Sequence, residues 1–403
     1  MKVSLRGQAA LLLAVNGLFV LSGALAGTFL NVYLWKSRQD FAMIGWFTVA
    51  QQLALGLSFW LGGKWVKEHN KMNALRLGVA VSGLFYLLVL WLGSRVVQYV
   101  WPLGLLLGIA SGLFWLAFNI VYFEITDRRN RDVFNGWVGL LGSLTGIVGP
   151  WLSGWLISAL HGNRGYRLVF ILSLCIYGAA AVLSFFLKKR KTSGSYEWLE
   201  PWHQLRSGDA DWRVTAAALF FQGLREGVFS FLIGLLVYIA AREESKLGQF
   251  TLITSAVSLV SYWAAGKWLS PKYRSAGMLC GALLLVAVIL PMLWTVSYAT
   301  LLVMGMGTAL FIPLYMLPMV STSFDLMGES EESAGKRVEL VVLRELSLMT
   351  GRLAGTFVFI AILSVSAAPR TVTLLLLGLG AAPLGSWLFL RRMLRRESLP
   401  EHS

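Results

Sequence analysis

The chemistry-bearing residues of this 403-residue chain are conspicuous because they interrupt apolar sequence, 57% of the side chains being hydrophobic and 14% charged. The run Phe220-Phe221-Gln222-Gly223-Leu224-Arg225-Glu226-Gly227-Val228-Phe229 sets an arginine beside a glutamate. Gln222, Glu226 and Ser230 recur every four residues there, which aligns them on one face of a helix. Counted from Val214, Arg225 lies about 16 Å into an apolar stretch, near the centre of a hydrocarbon layer about 30 Å thick. A second apolar run carries Arg344, Glu345 and Arg352. Glu345 and Arg352 share a face about 10 Å apart along the axis, and Arg344 points about 100° away. A charge at such a depth costs roughly 2.5–3.5 kcal/mol, so these residues face a protein interior or a wet cavity. Two readings follow. Arg225, Glu226, Glu345 and Arg352, with Arg344 and Gln222, bind a charged solute group or take up a proton; alternatively they lock two helices together as ion pairs. In both, Arg225 and Glu226 each find an opposite charge on the second run.

The elements that carry these residues are long apolar helices. A mean hydropathy of +0.66 and recurring windows of 19 or more apolar residues describe an all-α, multi-pass membrane protein. Twelve spans are expected, at about 8–34, 41–62, 74–94, 100–124, 134–160, 167–187, 214–240, 248–266, 275–295, 299–324, 338–366 and 371–390. The start, with Lys2, Arg6 and small residues at Ala24–Gly27, imitates a secretory signal. Cleavage is rejected, because the apolar stretch continues to Tyr33 and has a counterpart in the second half. The net charge of +15 is distributed by topology and does not mark nucleic-acid binding. With the N-terminus cytoplasmic, 24 of the 35 Lys and Arg residues fall on the cytoplasmic side and eight on the other, the positive-inside bias. Both termini are then cytoplasmic, in a cell membrane of bacterial style, with the lipid bilayer as the surrounding partner and a monomer as the expected state. Cys175 and Cys280 sit inside spans and the four histidines outside them, so neither a disulfide nor a metal site is expected. With no phosphate loop and no nucleophile-base constellation, the chain is not read as an enzyme and needs no cofactor beyond a proton or other ion gradient.

The chain divides at a basic connection into a first six-helix bundle (1–187), a cytoplasmic linker (188–213), a second bundle (214–390) and a cytoplasmic tail (391–403). Within the linker, Tyr196–Trp202 reads either as a short surface helix or as a polar strap with aromatic anchors. The halves repeat in register: Gly63-Lys64-Trp65-Val66 answers to Gly266-Lys267-Trp268-Leu269, and Leu144-Thr145-Gly146 to Met349-Thr350-Gly351. Two parallel six-helix repeats suit a transporter with its site between them.

From about residue 8 to 390 the chain resembles the major facilitator superfamily. The resemblance rests on the six-plus-six layout, the Gly-Lys-Trp turns and the glycine-rich fifth span with Gly146, Gly149 and Pro150. It implies two pseudo-symmetric bundles and secondary active transport by alternating access. The fifth span resembles the glycine-proline motif of the family's exporters, or is ordinary small-residue packing. The family's loop after the second span usually carries an aspartate; here Lys67 takes that place, and Ser270 in the second half. A latch of reversed polarity would join Lys64 or Lys67 to the acidic loop Glu329-Ser330-Glu331-Glu332, although solvated loops are the favoured explanation of these charges. Glu124 is expected to pair with Arg128 at the boundary, or to act as a gating carboxylate. Asn16, Asn31, Asn119, Tyr122 and Tyr315 are candidate cavity residues or interhelical hydrogen-bond partners. Trp115 and Trp137 are candidate substrate contacts or packing groups.

The leading functional reading is a proton-coupled secondary transporter of a small amphipathic or charged solute, with Glu226 or Glu345 as the coupling carboxylate and export by antiport (efflux) as the direction. A flippase for an anionic lipid or lipid-linked precursor is the second. The third is a scaffold or sensor that keeps the fold without transport.

Overall fold

The computed structural model describes residues 7–125, 131–160, 163–189, 194–206, 210–269, 271–328 and 335–396. The described residues form helices and short 3-10 turns without a strand. In chain order the helices are α1 (Gln8–Arg38), α2 (Phe41–Glu68), α3 (Lys71–Leu92), α4 (Val100–Ile125), α5 (Arg131–Ala159), α6 (Asn163–Ser184), α7 (Glu200–Arg206), α8 (Ala210–Ala241), α9 (Glu244–Trp268), α10 (Arg274–Ala287), α11 (Tyr298–Gly328), α12 (Arg337–Val365), α13 (Pro369–Gly380) and α14 (Ala382–Arg396).

Every expected span contains helix, but the ninth, 275–295, is α10 followed by a 3-10 turn at Leu290–Leu293. Ten stretches are long and apolar enough to cross a membrane; one of them, Lys71–Tyr122, holds both α3 and α4, and α9 is not among the ten. The last expected span is broken at Ala381 into α13 and α14, and α14 runs on to Arg396, so the tail expected from residue 391 begins as helix. In the linker the helix starts at Glu200, not at Tyr196. The helix starts are chemically legible: Asp40 accepts from the N–H groups of Ala42 and Met43 at 2.8 and 3.2 Å, and Asn70 from Met72 at 3.2 Å, satisfying donors that have no intrahelical partner. Helices α1 and α8 end alike, on the left-handed residues Gln39 (φ 53) and Arg242 (φ 56), whose N–H groups return to Trp35 and Tyr238 at 2.7 Å. Cys175 and Cys280 are free thiols.

The chain separates into two compact units. One comprises 1–198 with 243–252, the other 199–242 with 253–403. The second bundle expected at 214–390 therefore gives up the first turns of α9. In the first unit α1 packs on α5 and α6, and α3 on α4 and α6. The second unit repeats that arrangement, with α8 on α12 and α14 and α10 on α11 and α14. The first unit adds an α2–α4 contact along a glycine stripe. A Cβ at Gly104, Gly108 or Gly112 would lie 2.6, 2.2 or 2.6 Å from Phe47, Gln51 or Ser58 of α2.

The α8–α12 contact is closer still. A Cβ on Gly223 or Gly227 would lie 2.2 or 2.4 Å from the carbonyl oxygen of Leu348 or Arg352, and one on Gly351 or Gly355 would lie 2.0 or 2.3 Å from that of Phe220 or Leu224. Two Gly-xxx-Gly pairs thus face one another with backbone against backbone, and Thr356 Oγ1 adds a 3.4 Å bond to the carbonyl of Gly227. Small residues at matching four-residue spacing permit such an approach between apolar helices.

Gly351→Ala and Gly223→Ala are each expected to lower stability by about 1–3 kcal/mol or more, because an inserted methyl must push a backbone away. Gly139→Ala, with nothing within 4 Å of the added atom, is expected to be neutral or slightly stabilising through helix propensity. Thermal unfolding of the three purified variants in detergent measures the contrast.

Candidate functional site

Because α8 and α12 touch through glycines, the longer side chains flanking those glycines converge. Arg352, one residue past Gly351, sends Nη1 to Glu345 Oε1 at 2.7 Å. Its Nε and Nη2 bond Glu226 Oε2 at 3.3 and 3.1 Å. Glu345 lies two turns earlier on the same helix, and a helical side chain leans toward its own N-terminus, which brings the guanidinium back over that distance. Glu226 is held further by Gln222 Nε2 at 2.6 Å, one turn away on α8. The side chains of Arg352, Glu226 and Glu345 are 17%, 29% and 11% exposed, shielded enough for a charge-assisted, two-sided arrangement to matter. One cation therefore ties together carboxylates from two helices.

The other two arginines behave differently. The sequence leads one to expect a carboxylate partner on α12 for Arg225, and it does not take one. Its guanidinium lies over the Phe229 ring at 4.3 Å, the residue is 5% exposed, and its Nε and Nη2 meet no acceptor among the described residues. Arg352 consumes both carboxylates, and that leaves Arg225 to the aromatic face. Arg344, directed to another side of α12, lies over Phe324 at 5.5 Å, with its Nε also lacking an acceptor among the described residues.

Tyr315, on α11, is 2% exposed, and its hydroxyl is shared with Ser386 Oγ at 2.8 Å, which in turn bonds the carbonyl of Ala218. It ties α11 to α14 and α8. The remaining cavity candidates, Asn16, Asn31, Asn119, Tyr122 and Trp115, belong to the first unit. Asn16 is 2% exposed, and its Oδ1 has no donor among the described residues. Asn31 and Asn119 are half-buried. Tyr122 lies 5.5 Å from the Phe134 ring, and Trp115 closes an aromatic cluster with Phe19, Phe114 and Phe118, which is a packing role. Trp137 is 49% exposed.

Glu124 pairs with Lys71 of α3, a fully buried lysine, while the expected Arg128 lies outside the described residues. Lys64 reaches Glu68 at 4.0 Å and lies over Trp198 at 5.7 Å; Lys67 is 5% exposed. The acidic loop Glu329–Glu332, Ser270, Lys2 and Arg6 lie outside the described residues. Gly63 is a close approach to the linker, since a Cβ there would stand 2.7 Å from the Tyr196 ring, whereas Gly266 has open space and Lys267 only stacks on Trp263 at 5.4 Å. The two Gly-Lys-Trp segments, expected as turns, lie within α2 and at the end of α9 and are alike in sequence and unlike in contact. Helix α5 continues unbroken through Pro150. Gly149 approaches Ala24 of α1, and Gly146 is half-buried.

Sequence reasoning missed three features. The first is the set Gly227, Gly351 and Gly355, whose four-residue spacing was a readable signal. The second is Glu244, which accepts from Lys36 Nζ at 2.8 Å and Tyr166 Oη at 3.0 Å where Gly154 of α5 and Gly248 come together. The third is Glu339, fully buried in the first turn of α12.

Arg352→Ala strands two carboxylates together and is expected to cost about 3–5 kcal/mol. The triple variant Glu226→Gln, Glu345→Gln, Arg352→Met, which removes every member of the triad, is expected to recover most of that loss. Thermal unfolding in detergent at one pH compares them.

Residues 12–331 match the Major Facilitator Superfamily. The protein YqgE of Bacillus subtilis (strain 168) is 38% identical over 353 residues, which is 88% of this chain and 82% of that protein. Among solved structures, a bacterial homologue of the iron transporter ferroportin in an outward-facing state has a TM-score of 0.66 at 17% identity, covering 96% of this chain and 99% of that one. The nucleoside transporter NupG has a TM-score of 0.71 at 12% identity, covering 96% and 99%. At these identities the structural likeness speaks for the fold alone. Apolar helices in two repeated packing arrangements, a profile match over most of the length and a relative aligned along nearly all of it agree: the chain belongs to the Major Facilitator Superfamily and is a membrane transport protein, not an enzyme.

Proposed function

We propose that the protein is a secondary active transporter of a small charged or amphipathic solute, working by alternating access and coupled to protons through Glu226 or Glu345. The observation that carries this reading is the sharing of Arg352 between carboxylates on α8 and α12 inside apolar spans. A structural lock needs one carboxylate per arginine. Here the second gives the guanidinium somewhere to remain when the first is protonated or engaged by solute. Protonating one carboxylate removes one of two attractions and leaves the helices joined through the other, so the link rearranges without breaking. Intramembrane ionisable residues mark ion and substrate pathways as a rule, and the adjoining α11 contains Pro313 and Pro318, residues that bend a helix and release its carbonyls.

Export in exchange for protons is the direction we favour, from the glycine-proline segment of α5. A cell membrane and cytoplasmic termini accord with the basic loops.

In proteoliposomes carrying a pH gradient, solute addition is expected to move protons, read by an entrapped pH dye. Glu345→Gln and Glu226→Gln are expected to lower solute-driven proton movement at least tenfold while leaving solute binding detectable. Flux of a labelled solute that ignores the gradient in the wild type, and is equal in both variants, removes proton coupling through these residues. No flux of any tested solute, together with intact folding, favours a scaffold.

A further inference from the structure

Arg225 is a cation of the apolar interior, two of whose nitrogens meet no acceptor among the described residues. Three observations define what it is built to hold. First, the residue is 5% exposed, so its charge is removed from bulk water at a depth where an uncompensated cation is costly. Second, the two nitrogens without an acceptor among the described residues are Nε and Nη2. These form one edge of the guanidinium, the same edge that Arg352 turns toward Glu226. That edge presents two parallel N–H donors, which match the two oxygens of a carboxylate. Third, Phe229 covers one face of the guanidinium at 4.3 Å, which turns polar partners toward the edge and sets an apolar ring beside a ligand held there.

The charge count around it points the same way. Along α8 and α12, five arginines (Arg213, Arg225, Arg337, Arg344 and Arg352) stand against four carboxylates (Asp211, Glu226, Glu339 and Glu345), leaving one formal positive charge in excess. A monoanion cancels it; a dianion overshoots. One turn before Arg225, the Oε1 of Gln222 is buried with no donor among the described residues, because the amide nitrogen is committed to Glu226. The same ligand can therefore offer an N–H or O–H to that oxygen.

We infer that Arg225 is the anion-binding residue of the solute site and that the solute is a small monocarboxylate with an apolar body, its carboxylate seated on the Nε–Nη2 edge of Arg225. This rests on the transport reading given above and narrows its substrate class. It also separates two tasks: Arg352 and its carboxylates carry the coupling, and Arg225 carries the solute.

The test is equilibrium binding to the full-length protein in detergent, read by thermal unfolding and by tryptophan fluorescence titration. The probes are phenylacetate, mandelate and octanoate, each set against its neutral carboxamide, with inorganic phosphate and phosphatidic acid micelles as further arms. A saturable stabilisation by at least one carboxylate and none by its amide is expected in the wild type. Arg225→Lys, which keeps the charge and loses the fork, is expected to weaken that affinity about tenfold or more, and Arg225→Gln to abolish it. Equal response to acid and amide, response to phosphate or phosphatidic acid alone, or an unchanged carboxylate affinity in a folded Arg225→Gln protein overturns the proposal. The wild-type comparison of acid with amide decides the matter even where a variant fails to fold. Carboxylate binding without flux in proteoliposomes supports the anion site and removes the transport reading. Proton-linked flux of a solute that is unaffected by Arg225→Gln overturns the anion site and leaves transport standing.

Discussion

Four glycines let two helices lie so close that nothing larger than a hydrogen fits between them, and the polar chemistry of the second unit follows from that approach. Backbone contact between α8 and α12 sets Glu226 within one arginine's length of Arg352 and Glu345. With an ordinary interhelical distance of 8–10 Å, the same charges would face separate neighbours. In a bilayer, where lipid is as apolar as leucine and burial between helices gains little, packing and polar contacts hold spans together. Here the glycines supply the packing and the triad supplies the polar contact at the same place.

The economy of the triad has an electrostatic consequence. One arginine bonds two carboxylates, and two arginines remain beside phenylalanines. Cation–π contact compensates a guanidinium partially, by roughly 0.5–2 kcal/mol, against the several kcal/mol at stake in removing it from water. The region is therefore biased toward anions even though it contains both signs of charge. The first unit shows no comparable group of intramembrane charges among the described residues; its buried lysine, Lys71, is paired with Glu124 at a helix boundary.

Much of this was visible in the sequence, and the limits have physical causes. Spans were legible because hydropathy over about 20 residues is a one-dimensional property, fixed by bilayer thickness rather than by tertiary contacts. Arg225, Glu226, Glu345 and Arg352 were legible because a charge in an apolar run must face a partner or a wet cavity. Glu226 finds an opposite charge on α12 as expected, but the sharing of Arg352 between two carboxylates was not legible, because it depends on interhelical distance and on the direction in which a long side chain leans. Arg225 was expected to find a carboxylate and finds Phe229 instead, an outcome decided by which arginine reaches first. Lys71 and Glu244 sit at helix starts, where charged residues are common and carry no signal of burial. The turns at Gly63 and Gly266 read as equivalent, yet only the first has a ring lying against it, since a linker residue far away in sequence provides that ring.

The interlocked glycines also decide how this region can drift over generations. Each charge of the triad faces another side chain, so the loss of one can be balanced by a change in its partner, and the set can be exchanged for a different polar or apolar trio. The glycines face main-chain carbonyls, and no mutation elsewhere can make a carbonyl smaller. Variation in the lineage should therefore run through the charged residues, altering what is bound or coupled, while the four hydrogens between the helices are passed on unaltered.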